Sequence, residues 1–111
     1  MTTIVPSTAK FSWTDATKNL DGSNIVAGEV TGFLIGIRPS SGSAGTYPIN
    51  SPPIAANAVS EAVALITPSL IPGDYAAAIQ SVGPSNSPWS AEVTFTIAVP
   101  VPAAPTGFTV G

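Results

Sequence analysis

An all-β fold, two packed sheets of about seven antiparallel strands, is what this sequence predicts, and three observations carry the prediction. Twelve Pro and ten Gly cut the 111 residues into short segments, the punctuation of a chain that turns often. Two of those segments, Ala9 to Thr14 and Glu92 to Ile97, alternate between apolar and polar residues, the mark of a half-buried strand. No segment shows a convincing helical period.

Composition narrows the function before any motif is read. Hydrophobic residues make up 44% of the chain, enough for one domain with a working core. Charged residues make up only 8%, against roughly 25% in an ordinary soluble domain. The surface must therefore be Ser, Thr, Asn, Gly, Pro and Ala. Such a surface loses little on desolvation and suits packing against neighbours. The net charge is −3, with Lys10, Lys18 and Arg38 the sole cations. Three scattered cations are too few to hold nucleic acid or an anionic membrane, so neither is expected as a partner. There is no cysteine, hence no disulfide and no thiolate metal site. Met1 leads into Thr-Thr-Ile-Val-Pro without a basic-then-apolar leader. The expectation is a chain made in the cytosol, the alternative a module of a longer secreted protein.

Taken in order, Thr3 to Val5 reads as a short first strand that Pro6 ends. Ala9 to Thr14 follows, with Ala9, Phe11 and Trp13 on its inner face. Asp15 to Gly28 is loop, with Asp21-Gly22 as a turn signal. Val30 to Arg38 is nearly all apolar, so it is buried on both faces or something covers its outer one. Thr46 to Asn50, with Tyr47 and Pro48, fits an edge strand, where a missing N–H costs nothing. Ser51 to Asn57 is expected to be irregular. Ser60 to Ile66 is expected as the fifth strand, with Val63 and Leu65 on one face. The alanines from Ala55 to Leu65 suit a helix too, but the β-branched Val59 and Val63 favour strand. Pro72-Gly73 then makes a corner, Pro presetting φ and Gly accepting a positive one. Beyond it Tyr75, Ala77, Ile79 and Ser81 share one strand face. Gly83 to Pro88 is a turn-rich loop, and Ala91 to Ala98 the last strand, with Val93, Phe95 and Ile97 inward and Glu92, Thr94 and Thr96 outward. The core expected from this is Phe11, Trp13, Phe33, Ile35, Ile79 and Phe95.

Two units result: a sandwich over residues 1–98 and a Pro-rich extended arm over residues 99–111. Pro spacing in Val-Pro-Val-Pro-Ala-Ala-Pro enforces a polyproline-like run. Phe108 and Val110 follow it with no domain of their own to pack in, so they hang free or lie on another surface.

Side chains for catalysis are scarce. Without His or Cys the usual nucleophile–base pairs cannot be built. The six acids, Asp15, Asp21, Glu29, Glu61, Asp74 and Glu92, fall at strand ends or outward positions and read as solvated carboxylates. Thr17-x-Asn19-x-Asp21-Gly22 imitates a calcium loop, but Glu29 falls one place late for the closing ligand, so the segment reads as a turn. No cofactor, metal or catalytic residue is expected. Trp89 and Tyr47 are ambiguous between plugging a sheet edge and touching a partner.

Several motifs arrive together and in order. Phe11-Ser12-Trp13-Thr14 places a Trp on the second strand. Gly32-Phe33-Leu34-Ile35 follows on the third. Leu70, the Pro72-Gly73 corner and Tyr75 come next, then Ser87-Pro88-Trp89-Ser90 before the last strand. This succession resembles the fibronectin type III domain, an immunoglobulin-like sandwich, over about residues 7–98. The resemblance implies that Trp13 is a core residue and that the Tyr75 hydroxyl bonds back to the backbone to pin the corner. Pro105-Thr106-Gly107-Phe108-Thr109-Val110 also looks like the opening strand of such a domain.

Fold alone does not give function. The sparsely charged surface, the over-apolar third strand and the arm point to a non-catalytic structural protein. Such a chain would decorate or cement a virion, or associate with its tail. Capsid or tail subunits are the expected partners, with self-association through the arm. Trp89, Tyr47, Phe108 and Val110 are the expected contacts. Trp13, Tyr75, Pro72 and Gly73 are the structural residues. The alternative is an extracellular spacer or carbohydrate-binding module of a multidomain hydrolase or adhesin.

Overall fold

Why the third strand is so apolar becomes clear from its neighbours. In the computed structural model, which describes residues 2–6, 8–66, 70–99 and 101–111, it is an interior strand of the larger of two sheets. The elements are β1 (Thr2–Ile4), β2 (Lys10–Ser12), β3 (Gly32–Pro39), β4 (Ile49–Asn50), β5 (Ile54–Ala55), β6 (Ser60–Ala62), α1 (Val63–Ile66), β7 (Gly73–Val82) and β8 (Val93–Ile97). The large sheet runs β1-β8-β7-β3-β4, with β5 also on β3; β2 and β6 form the small sheet. The protein is an all-β, two-sheet sandwich.

β3 and β7 are its spine, paired antiparallel from Gly32↔Val82 to Pro39↔Tyr75. Alternation sends Phe33, Ile35 and Ile37 inward; Ile37 has no exposed surface. Tyr75, Ala77, Phe95, Ile97, Ile54 and Ile66 complete the core, and Phe11, Trp13 and Ile79 pack on it half-buried. Ring contacts tie the sheets together: Phe11 meets Phe95 edge-on at 5.7 Å, and Trp13 meets Phe33 at 5.4 Å. All six expected core side chains therefore share one interior.

The corner before β7 behaves as its sequence requires. Gly73 has φ +152°, a conformation that disfavours any side chain. The Tyr75 hydroxyl donates to the Ile71 carbonyl at 2.6 Å, so the ring is anchored at both ends.

Four expectations need correction. Ser60 to Ile66 is not one strand: pairing stops at Ala62 and the chain closes a single helical turn. Val63 and Ile66, three apart, are thereby both buried, while Leu65, expected to share the face of Val63, is 64% exposed. The segment Ser51 to Asn57 is not wholly irregular, because Ile54–Ala55 pairs with β3. Not every pair is antiparallel: β1 runs parallel to β8, Thr2↔Phe95 to Ile4↔Ile97. Val93, expected inward, is 55% exposed, because at its end of β8 the inner face opens into a groove beside Phe11 and Trp13.

Beyond β8 the chain leaves the sandwich. Residues 101–111 form no strand or helix and are exposed throughout, and the molecule measures 77 × 28 × 20 Å.

Candidate interaction site

The outer face of the large sheet, opposite the core, holds two of the four expected contact residues. Its floor is small: Gly36 and Arg38 on β3 lie beside Ala78 and Ala76 on β7. Tyr47 fills the space over Gly36. A Cβ at that glycine would stand 2.6 Å from the Tyr47 Cβ and ring, closer than atoms approach, so only glycine admits the tyrosine.

Trp89 reaches the same place through the serines around it. Where β8 ends its pairing with β7, Ser87 and Ser90 take over. The Ser81 N–H donates to Ser87 Oγ at 2.8 Å and the Ser87 N–H to the Ser81 carbonyl at 2.9 Å. Ser90 repeats the exchange with Ile79 at 3.0 and 2.8 Å. Pro88, which has no N–H, sits between these bonds. Trp89 is thereby held on Tyr47, ring centroids 4.6 Å apart and planes at 56°. Ser51 plays the same part between β4 and β5, its Oγ accepting from the Ile35 N–H at 3.0 Å.

An ion pair closes the cluster. Glu92 accepts from Arg38 through both oxygens, from Nε at 2.8 Å and Nη2 at 2.7 Å, the two-pronged geometry that guanidinium and carboxylate favour. The Tyr47 hydroxyl donates to the same carboxylate at 2.8 Å. Arg38 Nη1 donates to the carbonyls of Pro39, Ser40 and Gly42, gathering the loop that leads to Tyr47. The Arg38 hydrogen bonds, then that of Tyr47, hold the Glu92 carboxyl down at about 2. Burial, then the hydrogen bond to Glu92, pushes the Tyr47 phenol up. Bonding to Glu92 raises the Arg38 guanidinium. Glu92 is thus no free solvated carboxylate, which corrects its reading from sequence.

Within the cluster Glu92 is committed to two donors, Arg38 and Tyr47, and the Trp89 and Tyr47 rings are tilted on one another. Other acids are also engaged: Asp21 accepts from the Ser23 N–H and hydroxyl, which lowers its pKa. Glu29 accepts from the Val26 N–H, and Asp74 from the Thr96 hydroxyl. Among the described residues no three His, Cys, Asp or Glu side chains come together as a metal ion would require.

The remaining expected residues lie elsewhere. Phe108 and Val110 are 96% and 99% exposed on the arm. Trp13 lies between the sheets, and its indole N–H is buried with no acceptor among the described residues. Pro72, Gly73 and Tyr75 form the corner already described. Arg38 and Glu92 escaped sequence reasoning, because 54 positions separate them. The one available hint was a cation on the outer face of an otherwise apolar strand. Comparison with protein-family models, with curated proteins and with solved structures gave no match.

Proposed function

We propose that this chain is a non-catalytic interaction protein, a sandwich of the fibronectin type III kind that docks on a larger protein assembly. The class it fits best is the virion decoration, cement or tail-associated protein, with capsid or tail subunits as partners. The observation that carries this reading is the arm. Its Val101, Phe108 and Val110 are exposed, although the sandwich core is complete without them. Apolar side chains gathered on one exposed segment outside any core suit a contact surface. The sparsely charged exterior and the commitment of the Arg38–Glu92 pair to structure support the same reading.

Sedimentation velocity tests it, comparing the full chain with one ending at residue 98. The full chain should associate with rising concentration, and the shortened one should not. A full chain that stays monomeric, and binds no particle that the shortened one fails to bind, would defeat the reading.

A further inference from the structure

The small sheet has an open margin at β2. β2 bonds to β6 through alternate residues: the Val63 N–H donates to the Ala9 carbonyl and the Trp13 N–H to the Val59 carbonyl, both at 3.0 Å. Antiparallel geometry then turns the backbone N–H and C=O groups of Lys10 and Ser12 the other way. The small sheet ends there, with no further strand among the described residues. Beside that edge, between β2 and the start of β8, lies a groove of about 270 Å³ whose lining includes Phe11, Trp13, Ile35, Ala77, Ile79 and Val93. It falls below the roughly 300–1,000 Å³ of small-molecule pockets and suits one or two side chains.

The arm matches this margin. Residues 99–111 carry no charge, and neither does any residue lining the groove. In an extended Phe108-Thr109-Val110, Phe108 and Val110 fall on one face and Thr109 on the other. A segment laid along β2 would thus seat two apolar side chains while its backbone met the free groups of β2. The molecule's own arm departs from the far end of β8, past Ile97, and its prolines stiffen it. Its Phe108 and Val110 are exposed and do not line the molecule's own groove.

Resting on the proposed arm-mediated association, we infer that the acceptor is a second copy of this chain: Phe108–Val110 of one molecule adds as a strand to the β2 edge of the next. Donor and acceptor are different surfaces, so the contact is head-to-tail and propagates into a ring or filament. One added strand buries less than the roughly 1,000 Å² of a stable interface. Each contact is weak alone and accumulates in an array.

The chain has no cysteine, so site-directed cross-linking can trap a weak contact. Ser12 and Thr109, both exposed and outward in the docked arrangement, would be cross-strand neighbours within disulfide reach. Ser12→Cys protein is mixed with Thr109→Cys protein under mild oxidation; Ser41→Cys, on a loop far along the chain, replaces Ser12→Cys as the control. The Ser12 pair should give roughly tenfold more mixed dimer than the control, and adding Phe108→Asp to the donor should remove the excess. Equal yields from both acceptors, an excess insensitive to Phe108→Asp, or a Ser12→Cys/Thr109→Cys double variant closing within one dilute chain would overturn the inference. If sedimentation still shows arm-dependent association when the cross-link fails, the acceptor is wrong and the function reading stands. If neither appears, both fall.

Discussion

The outer face of the large sheet and the margin beside β2 make a useful pair. Both are apolar hollows next to an interrupted strand ladder. The first is filled by the chain itself: Ser87 and Ser90 complete the hydrogen bonding of β7, Trp89 lands on Tyr47, and Arg38–Glu92 closes over them. The second is lined largely by apolar side chains, yet no described strand pairs with the free edge of β2. Aromatic content does not separate a plug from a contact. What separates them is whether the neighbouring backbone groups already have partners, since an unmet donor or acceptor is what a new strand can satisfy.

The largest effect that would sharpen this contrast compares two phenylalanines. Phe33 is buried between the sheets and Phe108 is 96% exposed. Phe33→Ala should cost about 3–5 kcal/mol of unfolding free energy, read by urea denaturation at low protein concentration. Phe108→Ala should stay within about 0.5 kcal/mol. A comparable loss at both positions would mean that the arm belongs to the core.

Next comes the filled hollow. Gly36→Ala should cost about 1–3 kcal/mol as an overpacking change, because its methyl meets Tyr47 at 2.6 Å. Adding Tyr47→Ala should make the pair cost less than the sum of the two single changes; simple additivity would show that Tyr47 does not rest on Gly36. The corner should respond more modestly. Tyr75→Phe removes the 2.6 Å bond to Ile71 and leaves the ring in place, so about 1 kcal/mol should be lost. No loss in the denaturation midpoint would mean that the corner is held by ring packing alone.

How far these features were legible in the sequence depends on how local their cause is. Alternation in Ala9 to Thr14 was enough to place Phe11 and Trp13 in the interior, and Pro72-Gly73 before Tyr75 announced its corner. Both signals lie within a few residues. The helical turn at Val63–Ile66 was not legible, because burying Val63 with Leu65 or with Ile66 is decided by what lies beneath them. Nor could periodicity reveal that serine hydroxyls stand in for ladder partners at Ser51, Ser87 and Ser90. Tyr47 and Trp89 stand out singly in the sequence; their meeting needs two loops brought together over Gly36. Glu92 looked solvated because the cation that neutralises it sits on a strand 54 positions away.

That pair gives the smallest effect and the one that isolates the cluster. Glu92 in the folded chain ionises at about 2, below its ordinary 4.5. The unfolded chain therefore takes up the proton first as pH falls, and the stability contributed by ionised Glu92 is whole above about 4.5 and lost on descending to about 2. Glu92→Gln keeps the shape but cannot follow this titration. Thermal unfolding of the two proteins should show the parent melting higher at neutral pH, with a gap that is constant down to about 4.5 and closes by about 2. The partly exposed pair should also weaken with added salt. A gap that does not change with pH would mean that Arg38 is held by the loop carbonyls it also bonds. The filled hollow would then owe its closure to backbone, and its contrast with the open margin would rest on Ser87 and Ser90 alone.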